Sequence, residues 1–318
     1  MPSIIQFFHP GKEHGPDTDD PTIKSWNTDS HKRKFLSVQG DYLTRDETLV
    51  TDKNIMLWGE WEPDSQVKEF NTHDGNLPRY MHFPYIRNPL PNRTQRTGSQ
   101  NTGSCNSPGC NAADPNGESW QNTDPFIFGD NFKYAICRQR TKYSDFRIQD
   151  LEAGTIIVFG SLSDKQDSTF TSIRIDTVFV VSSHFIDKQT LLTMKDTTLS
   201  VHDKTYFDIS FRMAFPTNED FPDDNKLYTG VTYKDRNKYH EMFSFVPAMP
   251  CSTDMPEKGF PRIEMPLFHE TNQPITPFMV KENVTDNECA TYWKELKEKA
   301  LSHSGCIATR VGMPERGK

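Results

Sequence analysis

The chain has 318 residues and a formal net charge of −8 at pH 7. This length is enough for one large domain or two moderate ones with a buried core, and it excludes a short peptide held together by disulfides. The negative charge disfavours binding of nucleic acid across the whole surface, although it permits a local basic groove. Any contact with DNA is therefore expected in a restricted patch.

The composition predicts a β-rich fold with many loops. Only 34% of the residues are hydrophobic, so the 22 Phe, 10 Tyr and 5 Trp must supply much of the core volume. The 22 Pro and 17 Gly interrupt the sequence too often for long helices. We expect an α+β fold in a single domain that covers residues 1–318, built on a curved antiparallel sheet with large loop insertions.

Short runs of apolar, β-branched and aromatic residues predict the strands. We expect strands, in chain order, at 3–8, 55–61, 79–85, 124–129, 132–137, 155–161, 173–181, 231–233, 242–246 and 306–311. The runs at 155–161 and 173–181 are rich in β-branched residues and are joined by a short polar connection. This pattern favours antiparallel pairing between these two strands.

One helix is indicated near the end of the sequence. Thr285 and Glu288 have the spacing of a capping box. Apolar residues then recur at helical spacing from Ala290 to Leu301, and Gly305 is a stop signal. The sequence therefore predicts a helix that begins at Thr285 and is followed by the last strand.

Residues 87–122 form a long polar stretch, dominated by Asn, Gly, Ser, Thr, Pro and Gln. Loops of this length without structure are uncommon in compact domains, and they are often either functional lids or disordered. We predict that this insertion borders the ligand cleft and becomes more ordered when DNA binds.

The sequence gives no sign of a membrane segment. No stretch approaches the roughly 18 to 20 apolar residues that span a bilayer, and the first residues lack the order of a signal peptide. We expect a cytoplasmic protein that does not contact membranes. Its six cysteines are then expected to be free thiols.

Two groups of sequence segments resemble known families. The segments LEAGTIIVFGS at 151–161 and IRIDTVFVV at 173–181 resemble the strand-turn-strand pattern of the PUA, ASCH and EVE superfamily. A wider set looks like the nucleotide-modification-associated domain proteins of bacteria and phages: QNTDPFIFGDNFKYAICRQ at 121–139, DRNKYHEMFSFVPAMP at 235–250, HPGKEH at 9–14 and HKRKFL at 31–36.

These resemblances imply a fold and a biological theme. The first implies a PUA-like barrel as the alternative to an open curved sheet. The second implies an association with modified bases in DNA, including conflict between phages and their hosts. Neither supplies a catalytic residue that can be carried over to this sequence.

Three carboxylates beside aromatic residues are candidate catalytic groups: Glu60, Asp124 and Asp130. Cleavage of an N-glycosidic bond needs a carboxylate that stabilises positive charge on the sugar or activates water. The alternatives are ordinary structural roles. Asp124 and Asp130 can serve turns, and Glu60 can point from an edge strand into solvent.

The same segments supply candidate base-binding residues. Trp61, Phe126 and Tyr134 offer ring faces that could hold an extruded base. Gln121 and Asn122 offer side-chain amides that could read the edge of a base with paired donor and acceptor. The alternative, which the turn preferences of such residues favour, is that both amides serve the turn at the end of the polar insertion.

A basic cluster next to an apolar anchor provides candidate contacts to DNA phosphates. The candidate phosphate-binding residues are His31, Lys32, Arg33, Lys34 and Arg87. The alternative is that these charges simply form a solvated face.

Other candidate ligands are weaker. His9, Glu13 and His14 could bind a metal or transfer protons, but their spacing does not match the H-E-x-x-H motif. Cys105 and Cys110 could form half of a zinc site, although no second pair stands at matching spacing in the same loop. We therefore expect neither a metal nor another cofactor.

Taken together, these features suggest a protein that acts on modified nucleobases in DNA. The hypothesis we favour is a DNA glycosylase-type hydrolase that flips out a hypermodified base and cleaves its N-glycosidic bond in phage defence. The alternative is a non-catalytic reader that holds the same base. No P-loop, dinucleotide-binding or serine-hydrolase motif is present in the sequence, and the oligomeric state stays open.

Overall fold

The structure of the chain is a computed structural model. It describes residues 1–9, 13, 33–63, 65–71, 77–86, 112–113, 119–120, 123–137, 139, 146–163, 169–194, 199–215, 217–253, 256–272 and 277–316. The strands are β1 (Ile4–Phe8), β2 (Lys34–Thr44), β3 (Leu49–Gly59), β4 (Ser65–Glu69), β5 (Tyr80–Pro84), β6 (Ala112–Ala113), β7 (Ser119–Trp120), β8 (Lys133–Tyr134), β9 (Ile156–Leu162), β10 (Phe170–Ile186), β11 (Leu227–Gly230), β12 (Val246–Pro250), β13 (Ile263–Thr271), β14 (Phe278–Lys281) and β15 (Cys306–Val311). The α-helices are α1 (Lys188–Thr193), α2 (Val201–Tyr206), α3 (Arg212–Ala214) and α4 (Asp286–Ser304).

The first of two large sheets is built around β9 and β10. Its strand order is β14-β1-β9-β10-β11-β8, and β13 pairs with the first half of β10. The predicted antiparallel pairing of β9 with β10 is confirmed, with Ile157 opposite Phe179. β1 runs parallel to β9, with Ile5 opposite Ile157. The β9 side chains are almost entirely buried, which explains the continuous apolar run in the sequence.

A β-bulge interrupts the pairing of β9 with β10. Ile175 lies opposite Gly160 and Thr177 lies opposite Phe159, so Asp176 is the extra residue on β10. The backbones approach closely here, because a Cβ atom on Gly160 would lie 2.2 Å from the carbonyl oxygen of Arg174. Bulges commonly redirect a side chain, and this one leaves the Asp176 carboxylate buried inside the protein.

The second large sheet is curled around the hairpin of β2 and β3. Its strand order is β15-β12-β3-β2-β5-β4, and β15 pairs with both β12 and β2. These pairings bend the sheet strongly, but β5 and β4 continue beyond the curl, and neither sheet closes into a complete barrel within the described strands. A bridge between Val178 and Phe245 connects the two sheets. The expected α+β class with curved sheets and a C-terminal helix is confirmed.

Helix α4 follows the predicted pattern. The Thr285 hydroxyl accepts the N–H of Glu288, and the Glu288 carboxylate accepts the N–H of Thr285 at 2.7 Å, which completes the capping box. Gly305 ends the helix in the left-handed region, with φ of 89°. Trp293 is buried on the inner face of α4 and donates its indole N–H to the Phe243 carbonyl at 2.9 Å.

The structure corrects several element predictions. The predicted strand at 231–233 is wrong, because Thr232 caps a 3₁₀ helix over Tyr233–Lys238. The strand expected at 242–246 begins only at Val246. Helices α1 to α3 were not expected, and a π-helical turn over Phe207–Phe211 joins α2 to α3.

Other expectations concern the insertion and the membrane. Most of 87–122 lies outside the described residues, which there include only the pair β6 and β7. The prediction that this insertion borders the ligand cleft therefore concerns residues outside the described ones. Within the described ranges, no helix combines the length and apolar character needed to cross a membrane.

The close approach at the bulge gives a testable consequence. We expect Gly160→Ala to lower the free energy of unfolding by about 1–3 kcal/mol, because the new methyl group meets a backbone carbonyl that cannot easily move. Gly59→Ala is the matched control, since its methyl group would meet flexible side-chain methyls of Leu36 and Leu57 at 3.3 Å. Urea denaturation of both variants measures the difference. If the two variants lose equal stability, the close approach of the two backbones at the bulge is not the cause of the loss.

Candidate functional site

Charged side chains from both sheets meet in the interior of the protein. His9 follows β1, Arg33 precedes β2, Glu60 follows β3, Asp176 occupies the bulge of β10, and Arg262 precedes β13. We call these five residues the charged cluster. Each of their side chains is at most 7% exposed. Four strand ends and one bulge, from separate parts of the chain, therefore bring five ionisable groups to one buried location.

Glu60 accepts contacts from two neighbours in the charged cluster. Its Oε2 atom accepts a hydrogen bond from Arg33 NH1 at 2.9 Å and lies 3.1 Å from Nδ1 of His9. The ring of His9 is held edge-on against Phe7, with the ring centroids 5.0 Å apart. Packing and ion pairing thus fix the orientation of both the carboxylate and the imidazole.

Asp176 connects the two arginines. Its Oδ2 lies 2.8 Å from Arg33 Nε, and its Oδ1 lies 3.7 Å from Arg262 Nε. Burial by itself would lower the pKa of Arg33, but the carboxylates of Asp176 and Glu60 outweigh burial and raise that pKa above its usual value. Arg33 is therefore a permanent cation held between two carboxylates.

Arg262 is held in a different way. Its guanidinium lies 4.7 Å from the centre of the Trp58 ring, and its NH1 donates to the Ser161 hydroxyl at 2.6 Å. Burial lowers the pKa of Arg262 to about 10, because the attraction of Asp176 is weaker than the burial effect and Arg33 adds repulsion. Its charge is less well compensated than that of Arg33.

The charged cluster combines the groups needed for acid–base and electrostatic chemistry. Two carboxylates, an imidazole and two guanidiniums lie close together where water is largely excluded, so each electrostatic interaction is stronger than it would be in solvent. Such a cluster is costly, because each buried charge gives up its hydration. Buried ionisable groups with specific partners are characteristic of functional sites.

Asp124, the second predicted carboxylate, has a structural role instead. It is buried, and its two oxygens accept the backbone N–H groups of Ala135, Ile136 and Cys137 at 3.1, 3.0 and 2.6 Å. These bonds tie the turn after β8 to the segment that contains Asp124, which precedes β8 in the chain. Because the carboxylate is used by the backbone, we no longer assign a catalytic role to Asp124.

Asp130, the third predicted carboxylate, lies on the surface. Its side chain is 64% exposed and its Oδ2 lies 3.1 Å from Nδ1 of His202. It occupies the turn that follows Gly129, where φ is 90°. This position does not provide the water-excluded setting that the catalytic hypothesis required, so Asp130 is also removed from the candidate site.

The predicted aromatic walls are part of the hydrophobic core. Trp61 packs edge-to-face on Phe128, with the ring centroids 4.9 Å apart, and Phe126 packs on Phe128 at 5.4 Å. Tyr134 is buried and donates its hydroxyl to the Cys137 carbonyl at 2.6 Å. The faces and edges of these rings are used by neighbouring core rings, so the structure gives all three a core role in place of the predicted base-binding role.

The predicted phosphate-binding residues are corrected in the same way where the structure describes them. Arg33 and Lys34 are both buried rather than displayed to solvent, and Lys34 donates to the backbone carbonyl of Trp61. Neither side chain can follow a DNA backbone from that position. The remaining predicted site residues lie outside the described residues: His31, Lys32, Arg87, Gln121 and Asn122.

Asp176, Arg262 and Ser161 were missed by the sequence reasoning. Asp176 did leave a signal, because it is the one acidic residue inside the largely apolar run IRIDTVFVV at 173–181. Arg262 and Ser161 gave none, since single Arg and Ser residues at strand ends are ordinary. Across the described ranges, no group of three or more His, Cys, Asp or Glu side chains is arranged to hold a metal ion.

Comparison with known proteins finds no matching family model, no matching curated protein and no matching solved structure. Support for a function therefore comes from the charged cluster itself.

The buried Asp124 predicts a pH effect on stability. Burial raises its pKa from 3.8 to about 6, although the three backbone donors favour the charged form. The folded state then binds more protons than the unfolded state between about pH 4 and pH 6, so stability falls as pH rises through that window. The loss is about 3 kcal/mol, the free-energy equivalent of this pKa change.

The measurement is the free energy of unfolding of the wild type minus that of Asp124→Asn, followed from pH 3 to pH 8. This difference removes the titration of the other carboxylates from the comparison. We expect it to fall between pH 4 and pH 6 and to be constant above. A difference that rises with pH below pH 4 would mean that the three N–H donors outweigh burial.

Proposed function

We propose that the protein acts on a modified nucleobase in DNA, and that it hydrolyses the N-glycosidic bond with Glu60 as the essential carboxylate. The observation that carries the proposal is the setting of Glu60. Glu60 is buried beside Arg33 at 2.9 Å and His9 at 3.1 Å, whereas the Asp124 oxygens are used by backbone N–H groups and Asp130 is exposed. The resemblance to nucleotide-modification-associated proteins suggests phage defence as the setting.

The reaction makes demands that the charged cluster can meet. The bond between the sugar C1′ and the base nitrogen breaks, a water oxygen adds to C1′, and a proton goes to the departing base. Positive charge develops on the sugar, and the Glu60 carboxylate is suited to stabilise it or to accept the proton of the attacking water. His9 is suited to relay that proton, since its ring nitrogen already contacts the Glu60 carboxylate.

Preorganisation supports this assignment. Arg33 holds Glu60, and Asp176 in turn holds Arg33 through a 2.8 Å ion pair. Charges fixed before the reaction need not be reoriented during it, and they act strongly where water is excluded. Arg33 and Asp176 are thus buried and held in place by their ion pair, and they are not mobile surface groups.

One observation favours the second candidate function, a non-catalytic reader. Both contacts described above for Glu60 are made with basic side chains, Arg33 and His9. A carboxylate whose charge is already compensated is a weaker countercharge for a cationic sugar. It remains a good acceptor for an amino group on the edge of a base.

The decisive substitution is Glu60→Gln, which preserves shape and removes charge. In the hydrolase, we expect the rate of abasic-site formation on hypermodified phage DNA to fall at least about 10²-fold, while binding of that DNA largely survives. Glu298→Gln is the matched control, since Glu298 is 63% exposed on α4, outside the charged cluster. Abasic sites are counted by alkaline strand cleavage, and binding is measured by gel shift.

Three outcomes separate the hypotheses. Loss of abasic sites only in Glu60→Gln supports the hydrolase. A wild type that binds modified DNA without producing abasic sites, and whose binding weakens in Glu60→Gln, supports the reader. If the wild type neither cleaves nor prefers modified DNA, both versions of the proposed function are contradicted. Circular dichroism checks that each variant is folded.

A further inference from the structure

The two arginines of the charged cluster are not equivalent. Arg33 has carboxylate oxygens at 2.8 Å and 2.9 Å, which satisfy its charge. Arg262 has its closest carboxylate oxygen, among the residues that the structure describes, at 3.7 Å on Asp176. The positive charge of Arg262 is therefore less well compensated by carboxylates than that of Arg33.

The guanidinium plane of Arg262 is also fixed in advance. Trp58 lies 4.7 Å from it on one side, and the Ser161 hydroxyl accepts from NH1 at 2.6 Å. Trp58 is itself anchored, because its indole N–H donates to the Phe260 carbonyl at 2.9 Å. A guanidinium held in this way loses little conformational entropy when it binds a ligand.

We infer that Arg262 recognises a base edge that presents two adjacent hydrogen-bond acceptors. The inference rests on the proposed function and names its substrate class. Guanidinium N–H groups form a planar fork that fits such an edge with two parallel hydrogen bonds. An extruded cytosine-type base offers O2 and N3, and a guanine-type base offers O6 and N7. Thymine has no such pair, because N3–H separates its two carbonyl oxygens. Adenine has none either, because N1 and N7 each lie beside the N6 amino donor and N3 has no second acceptor next to it.

A phosphate group also offers paired oxygens, but the surrounding charges favour a neutral ligand. Asp176 lies close to Arg262, and Glu60 belongs to the same cluster. The Glu13 carboxylate also acts electrostatically on Arg262. A phosphate would bring further negative charge among these carboxylates, whereas a base edge brings acceptors without net charge.

The test uses free deoxynucleosides and the wild-type protein, and it needs no turnover. Dissociation constants for deoxycytidine, deoxyguanosine, deoxyadenosine and thymidine are measured by calorimetry. We expect deoxycytidine or deoxyguanosine to bind at least about tenfold more tightly than deoxyadenosine and thymidine. If deoxyguanosine is preferred, 7-deazadeoxyguanosine, which lacks N7, should lose that preference. Inorganic phosphate at millimolar concentration should not compete.

The variant Arg262→Lys keeps the charge but removes the planar fork. We expect it to abolish the preference, leaving the four deoxynucleosides within about threefold of one another. Arg174→Lys is the matched control, since Arg174 pairs with Glu264 at 3.0 Å and lies outside the charged cluster. This control should keep the wild-type preference. A thermal melt of each variant confirms folding.

Several results would overturn the inference. They are the absence of nucleoside binding, equal binding of all four nucleosides by the wild type, a preference that persists in Arg262→Lys, and competition by phosphate. The proposed function fails separately, through the Glu60→Gln experiment on hypermodified DNA. The two failures are therefore distinguishable.

Discussion

The ion pair between Asp176 and Arg33 is the interaction on which the charged cluster depends. Asp176 belongs to the first sheet and Arg33 leads into the second, so this 2.8 Å contact joins the sheets through opposite charges in the interior. Arg33 then positions Glu60 at 2.9 Å. Removing one partner of a buried pair leaves the other charge uncompensated, at a typical cost of about 3–5 kcal/mol. The bulge that places Asp176 is therefore a condition for the whole arrangement.

The carboxylates of Asp124 and Glu60 are both buried, but they differ in the groups that they contact. Asp124 accepts three backbone N–H groups, and its role ends with closing a turn. Glu60 is paired with side chains that are themselves ionisable. Buried ion pairs of this second kind contribute little net stability, since apolar residues of similar volume often stabilise a core equally well. Net stabilisation alone therefore does not account for the ion pairs at the junction of the two sheets, and this supports the role proposed for Glu60.

Local signals in the sequence predicted the elements that depend on local interactions. β9, β10, β15 and α4 followed from β-branched runs and from the capping box at Thr285. The charged cluster could not be predicted in this way, because its members adjoin β1, β2, β3 and β13 or lie in the bulge of β10 and are brought together only by the topology. The basic run before β2 shows the same limit. Its charges suggested a DNA-binding surface, yet Arg33 and Lys34 are buried, and composition does not reveal the direction of a side chain.

The contact between Glu60 and His9 bears on both versions of the proposed function. Nδ1 of His9 lies 3.1 Å from Oε2 of Glu60, the same oxygen that accepts a hydrogen bond from Arg33 NH1 at 2.9 Å. A hydrolase requires this carboxylate to act on the sugar, whereas a reader requires it only to accept a hydrogen bond from the base. The two versions therefore make different demands on one carboxylate, and turnover rather than binding is the property that distinguishes them.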